Sequence, residues 1–562
     1  MEYAQLRFSR GLSRRAALRM LAFGSAATLL AACGPAIQPE SSPAGNPASS
    51  NPPAASGAPL TVAPATGAPA SGGTLNVAIA DLGTENNDVI LAQPNNPQYV
   101  IFEPLLRYDP QGNIMPWLAE SYEMSADGRL WTFTLRKGMK WHNGDEVTSD
   151  DIKFTFERYV SDASKSAWSP LHRQTVDHIE TPDRYVAQVY AKDPPYVFYP
   201  DAVYGTMLTP KTYFERVGVD TFGKQPMATG AWKLTNLTPG VSAEFEAFQD
   251  YWGTKPVWDK LVLKQVPEES TRVAMIKRGE VDIVGVSADN AIQLRDAGGF
   301  QLRQTRASTT PALFMAGYWM QPGPTSDPKV REAMDIAINR QELVDSLFRG
   351  FGKPAAGTMQ LTELHWGFDP IWYSIKYEPD RAKQLLQEAG YPGAFSDPTI
   401  SVFSVTQASF GWEPEMLQVI SGYWEAVGIK TQLVPMDFTA FRNAWVNKDP
   451  KIMGGVATYI SFGAAANTIP AQQNHMTSRG VNFSGNDPQL DSDFFAMVAE
   501  LDASKRLELW HKVQQEMFAL HSVQGVARVY DQYAVSDKVG DWTGLDYLPN
   551  GFLLGLAGVQ HR

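Results

Sequence analysis

From residue 74 onward, short apolar runs alternate with amphipathic stretches, and that rhythm carries most of the structural reading. TLNVAI (Thr74–Ile79) stops at the turn-prone Asp81-Leu82-Gly83, which predicts a strand opening into a loop. LVLKQV (Leu261–Val266), a helical spacing over about Glu269–Arg278 and VDIVGV (Val281–Val286) predict strand, helix, strand, with Gly279 closing the helix. A clearer series follows: ISVFSV (Ile400–Val405), a helix from Glu413 to Val427, IKTQLV (Ile429–Val434), a helix from Asp437 to Asn447, and MGGVATYI (Met453–Ile460). Strand and helix in strict alternation predict a parallel sheet covered on both faces. Between the series, residues 327–350 predict one long helix with Asp327 as N-cap, Pro328 in the first turn and Gly350 past the end. EPDRAKQLLQEAGYPG predicts another, and Asp487-Pro488 a helix start. The stretch from Tyr99 to about Pro195 instead holds short alternating runs, LWTFTLR and YVAQVYA, which predict a smaller antiparallel insertion whose Trp131, Phe133 and Leu135 face a core.

Ligands of open α/β sheets bind outside the carboxyl ends of strands, so loop tips at those ends are the expected site. On that ground the candidate ligand-binding residues are Asp81, Tyr318, Trp319, Trp412, Thr458, Tyr459, Phe462, Arg528 and Tyr530. The aromatics would form stacking walls, and Asp81 or Arg528 would pair with ligand charge.

The first residues have a different character. Residues 1–32 carry five arginines and one acid, Glu2, before an uncharged stretch from Met20 to Ala32. That stretch is shorter than the roughly 20 apolar residues a spanning helix needs, so it predicts a cleaved signal peptide. Ser13-Arg14-Arg15-Ala16-Ala17-Leu18-Arg19 resembles the twin-arginine export motif, with Ala17 where that motif usually has Phe. Leu30-Ala31-Ala32-Cys33 resembles the bacterial lipobox, which makes Cys33 the lipidation site. From Gly34 to Gly73, Pro, Gly, Ala and Ser supply 31 of 40 residues and Glu40 is the only charged side chain, so residues 33–71 predict a disordered tether.

Composition narrows the function. The chain has 562 residues, enough for two or three domains, with 48 Lys plus Arg against 60 Asp plus Glu. The formal charge of -12 and the lack of a basic run argue against nucleic acid as a partner. A single cysteine excludes a disulfide framework and Cys-rich zinc sites. GxSxG, HExxH and phosphate-binding GKS/GKT are absent, and the GxGxxA at Gly350–Ala355 follows a helix rather than a strand. The histidines lack the same-face spacing of helical metal ligands; His475 is the best exception. No metal and no cofactor is implied.

At this point several motifs, in order, identify a resemblance. Phe102–Arg158, FEPLLRYDPQGNIMPWLAESYEMSADGRLWTFTLRKGMKWHNGDEVTSDDIKFTFER, resembles the large extracytoplasmic solute-binding proteins of ATP-driven importers, the class that includes dipeptide, oligopeptide and nickel binders. ATGAWKL with QDYWGTKPVWDKLVL, RVAMIKRGEVDIV, VREAMDIAINRQELV with EPDRAKQLLQEAGYP, and Asn486–Phe518 agree in sequence order, covering nearly everything from Gly72 to about Val535. The resemblance implies a periplasmic-binding-protein type II fold: two doubly wound α/β lobes, with an extra domain inserted in the first. The family's chain path implies lobe one at 72–98, 196–308 and 522–562, the insert at 99–195, and lobe two at 309–521. It further implies a monomeric, lipid-anchored, non-enzymatic receptor outside the cytoplasmic membrane that captures a solute, a peptide first of all, and delivers it to a permease.

One departure bears on the ligand. Peptide-binding members place an aspartate after the last strand of lobe two to pair with the peptide's ammonium, and here VATYISF puts Thr458 there. Losing one partner of a desolvated charge pair costs about 2 to 5 kcal/mol. Two further readings stay open at this level: a binder of an oligosaccharide or metal chelate within the same family, and a secreted hydrolase whose two carboxylates the sequence does not single out.

Overall fold

The computed structural model describes residues 72–83, 85–90, 96–109, 113–166, 168–192, 194–305, 309–355, 357–358, 361–363, 365–391, 399–406, 410–462, 468–480, 485–542, 553 and 555–562. Of residues 406, 438, 439, 459, 461, 462 and 468 it describes only the backbone. The expected signal peptide (1–32), the expected lipidation site Cys33 and the expected tether lie outside the described residues.

The first sheet is begun by β1 (Thr74–Ile79), β2 (Trp232–Thr238), β3 (Ser242–Ala247), β4 (Lys260–Gln265), β5 (Ile283–Val286) and β6 (Gln301–Gln304). The chain then crosses to a second sheet of β7 (Thr309–Met315), β8 (Gly352–Pro354), β9 (Ile400–Thr406), β10 (Thr431–Asp437), β11 (Val456–Phe462), β12 (Val523–Gly525) and β13 (Ala527–Val529). It crosses back to add β14 (Gln532–Val535) to the first. Strand order is β6-β14-β5-β1-β4-β3-β2 in one sheet and β8-β13-β7-β11-β9-β10 in the other, with β12 also on β7.

Both sheets are mixed. β1 runs parallel to β4 and β5, and β9 parallel to β10 and β11, as alternating strands and helices require. The flanking strands are antiparallel, because hairpins and returning segments, rather than crossover helices, deliver them. The segment after residue 522, expected in lobe one, first pairs with the second sheet through β12 and β13. Val523, Val529 and the intervening apolar residues find buried partners there before the chain returns.

Strand alternation splits the second sheet's side chains between two cores. Leu313, Met315, Val402 and Val456 pack with α2 (Pro328–Ile336), α3 (Arg340–Ser346), α4 (Pro379–Glu388) and α5 (Glu413–Ala426), which bring Val330, Leu343, Leu385 and Trp424; α1 (Glu269–Lys277) serves the first sheet. Phe314, Phe403 and Ala457 face the other way, toward α6 (Phe438–Val446), α7 (Thr468–Met476), α8 (Pro488–Ala499) and α9 (Ala503–Leu520). That second core is continuous with the insert's Trp131, Phe133 and Leu135. Each fully buried side chain of this size contributes about 1.5–3 kcal/mol. The insert is a four-stranded antiparallel sheet between residues 119 and 191, as the alternating runs predict.

The long helix expected over 327–350 is broken into α2 and α3. Asp327 does cap the first, accepting from the Lys329 N–H at 2.8 Å. Asn339 then caps the second, accepting from the Glu342 N–H at 3.1 Å. Arg340 holds the break: it donates to the Asp335 carboxylate, to the Asp335 carbonyl at 2.9 Å and to the Gly525 carbonyl at 2.7 Å. Those bonds take the carbonyl that continuation of the helix would have used.

Candidate functional site

Register fixes which loops meet. In the first sheet Ile79 pairs with Gln265 and Val286 with Gln532, so the carboxyl ends of β1, β4 and β5 share one edge with the start of β14. In the second, Phe462 and Val529 both pair with Thr309, and Thr406 with Asp437, so the ends of β9, β10, β11 and β13 share an edge with the start of β7. The two segments that join the sheets, after Gln304 and after Val529, therefore run from one carboxyl edge to the other. Both joining segments thus lie at carboxyl edges, the place where ligands of open α/β sheets bind.

Asp81 is exposed on the first edge. Its Oδ1 accepts from the Gly83 N–H at 2.9 Å, and the neighbouring Leu82 N–H donates to Gln265 Oε1 at 3.1 Å, which ties the loop to the end of β4. On the second edge Arg528 is 7% exposed and Tyr530 half-buried. Arg528 pairs through Nη1 with Glu363 and donates through Nη2 to the Tyr530 hydroxyl at 3.3 Å, while its buried Nε has no hydrogen-bond partner among the described residues.

Thr458 is buried, and its hydroxyl donates to Glu413. Glu413, 1% exposed at the start of α5, also accepts from Ser404 Oγ at 2.6 Å and the Val405 N–H at 3.3 Å. A helix N-terminus favours a negative charge there. β11 lacks an acid at Thr458, but the carboxyl of Glu413, from the helix that follows the neighbouring β9, reaches the same end of the sheet. Sequence reading took Glu413 only as a helix start; the signal was an acid beside Pro414 facing two hydroxyl-bearing strand positions, visible only once β9 and β11 are paired.

Trp412, half-buried before α5, meets Phe348 edge-on at 5.0 Å and Phe410 at 5.7 Å between ring centroids. Tyr459 and Phe462 belong to β11, with side chains outside the described residues. Tyr318 and Trp319 are a correction. β7 runs antiparallel to β11, with Met315 opposite Val456, so the loop after β7 lies at the far edge from the cleft. Tyr318 is buried in the helical core there, with the Arg331 guanidinium 4.1 Å from its ring centroid and burial pushing its hydroxyl up. His475 packs on Phe314 at 5.1 Å between ring centroids, and burial pushes it down to about 3, so the ring is neutral.

Two mixed α/β lobes with an insert in the first, joined by two crossings, define the periplasmic-binding-protein type II fold. Residues 113–473 match the description "Bacterial extracellular solute-binding proteins, family 5 Middle", and the chain belongs to that family. It is 27% identical over 362 residues to the dipeptide-binding protein of Escherichia coli (strain K12), covering 58% of this chain and 64% of that one. It is 27% identical over 303 residues to the nickel-binding periplasmic protein of the same organism, covering 52% and 56%. The matches thus span about 60% of those relatives' lengths. Among solved structures, the periplasmic binding protein DppA of Helicobacter pylori in complex with peptide STSA superposes with a TM-score of 0.74 at 20% identity, covering 87% of this chain and 98% of that one.

Proposed function

We propose that this protein is the extracytoplasmic receptor of an ABC importer, a binding protein rather than an enzyme, which captures a peptide between its lobes and presents it to a membrane permease. The observation that carries the reading is the joint: two crossings link two carboxyl edges, so rotation about them opens and closes a cleft. The dipeptide-binding relative favours a peptide. Ligand contacts are assigned to Asp81, Trp412, Thr458 backed by Glu413, Tyr459, Phe462, Arg528 and Tyr530. Lobe one is drawn as 72–98, 196–305 and 530–562, the insert as 99–195 and lobe two as 309–529.

In this reading residues 1–32 are a signal peptide, Cys33 carries lipid, and 33–71 tether a monomer to the membrane. A flexible tether of that length reaches about 35 Å. Cys33→Ser moves the protein from the membrane pellet to the soluble fraction; retention in the pellet contradicts the anchor.

Receptor and ligand class are tested by thermal shift on protein stripped of solute by denaturation and refolding, with tri-alanine, maltotriose and nickel–histidine as probes. Tri-alanine at 100 times its dissociation constant adds about 2.7 kcal/mol of stability. A shift only with the sugar or the chelate rejects the peptide, and multiple-turnover hydrolysis of any probe rejects the receptor.

A further inference from the structure

The buried Glu413 carboxyl is closed to a ligand by its own bonds: Thr458 and the Val405 N–H donate to one oxygen and Ser404 to the other. A second carboxyl, beside the end of β13, is differently placed. Glu363 has a side chain 29% exposed, whereas Arg528, which pairs with it, is 8% exposed. Arg528 Nη1 takes Glu363 Oε1, and its Nη2 is fixed on the Tyr530 hydroxyl. Glu363 Oε2 is not buried and has no hydrogen-bond partner among the described residues. A cation that hardly meets water therefore orients a carboxylate whose second oxygen remains open.

The segment after Glu363 brings an aromatic ring to the same place. Asp369 starts a short helical turn at Pro370–Ser374, accepting from the Ile371 N–H at 2.9 Å. Gln514 of α9 accepts from the Asp369 N–H at 2.9 Å and from Trp372 Nε1 at 3.3 Å, and donates to the Gly367 carbonyl at 2.6 Å. Those bonds bury Trp372 against Phe518 and leave the next ring, Tyr373, 57% exposed. Desolvation first, and then the Glu363 charge, push the Tyr373 hydroxyl up, while Arg528 draws it down. The ring thus lies within electrostatic reach of both members of the pair.

The chain itself shows what such a carboxylate accepts. One oxygen of Glu388 takes Arg381 Nη1 at 2.9 Å, and the other takes Lys329 Nζ at 3.2 Å. An arginine on one oxygen leaves the lone pairs of the other for an ammonium, which has three donors and no acceptor. Glu363 has the arginine half of that arrangement, and Arg528 is its only ion-pair partner among the described residues.

We propose that Glu363, with Tyr373 beside it, receives the primary ammonium of the ligand's amino terminus, the charge that Thr458 cannot pair. The inference rests on the peptide-receptor reading above and adds the acid and the ring that select a free amino group. Arg528 is then the residue that orients Glu363, and the Tyr373 ring supplies a face attractive to a cation.

The test is titration calorimetry on protein stripped of solute, comparing tri-alanine with N-acetyl-tri-alanine, which carries no ammonium. Wild type binds tri-alanine about ten- to hundredfold tighter, as the loss of one charge-assisted hydrogen bond requires. In Glu363→Gln, which keeps an acceptor for Arg528, the ratio drops to near one while the acetylated peptide binds as it does to wild type. Tyr373→Leu, at an exposed position, lowers the ratio about two- to fivefold. N-acetyl-Ala-Lys-Ala distinguishes a side-chain ammonium: a Glu363-dependent gain for it, with none for tri-alanine, overturns the amino-terminal assignment. A wild-type ratio near one, or a ratio that survives in Glu363→Gln, overturns the subsite and leaves the receptor standing. Binding of neither alanine peptide overturns the subsite and the peptide reading together, and the thermal shift shows the same loss.

Discussion

His172 shows how little a residue type fixes by itself. Its ring is fully buried in the insert, with Nδ1 3.1 Å from the Tyr199 hydroxyl and Nε2 2.6 Å from Thr206 Oγ1, and it packs on Phe156 and Tyr159. Burial pushes its pKa down to about 3 from 6.5, so the folded protein holds it neutral while the unfolded chain protonates it. Stability from this group is present above 6.5 and is lost as pH falls toward 3. Over that window it contributes a slope of about 1.4 kcal/mol per pH unit. His172→Gln lacks the titrating ring and flattens the slope of urea stability between pH 6.5 and 4.5; an unchanged slope would show that His172 is protonated in the fold. The same scale holds the polar choice at the cleft: Thr458, Ser404 and Glu413 are individually ordinary residues, and only together do they place a buried carboxylate where a strand acid is missing.

Elements were readable to the extent that caps and periodicity agreed. The helix starts at Asp327 and Asp487 were legible because an acid precedes proline, and both side chains accept from backbone N–H groups at their helix starts. The break between α2 and α3 had a local signal too, Asn339 with Glu342 three residues on, but the apolar spacing ran through it and suggested one helix. What decided the matter was Arg340, whose bonds reach Asp335 and Gly525, residues far apart in sequence. Asn339→Ala removes the internal cap and lowers stability by about 1 kcal/mol, measured by chemical denaturation. An unaffected midpoint would mean that Arg340 alone sets the break. Tyr318 and Trp319 were misplaced for a comparable reason: a strand's end identifies a cleft loop only when its direction in the sheet is known.

Across the whole molecule, the insert bridges to the second lobe as well as belonging to the first. Its exit segment donates from the Val197 N–H to the Val498 carbonyl at 2.9 Å, and Gln473 Nε2 donates to Gln174 Oε1 at 2.9 Å. Phe198 meets Trp366 at 5.9 Å between ring centroids. Any opening of the lobes has to break or carry these contacts along, so they bias the molecule toward the arrangement seen here. On the peptide-receptor reading proposed above, Gln174→Ala removes one such bond and weakens tri-alanine binding about three- to tenfold in titration calorimetry, in line with a single hydrogen bond. Unchanged affinity would show that the contact persists in the open form.

The sequence alone determined the family, the strand and helix series and the insert, because each is written in local periodicity, caps and contiguous motifs. Tertiary structure alone decided the direction of the flanking strands, the pairing of residues 523–529 with the second sheet, the far-edge position of Tyr318 and the grouping of Glu413 with Thr458. It also decided the bonding of Asp531 to Thr305 and Thr309, more than 200 residues away. Those features depend on which distant segments pair and in what register, and pairing free energy comes from burial and hydrogen bonds that no local stretch contains.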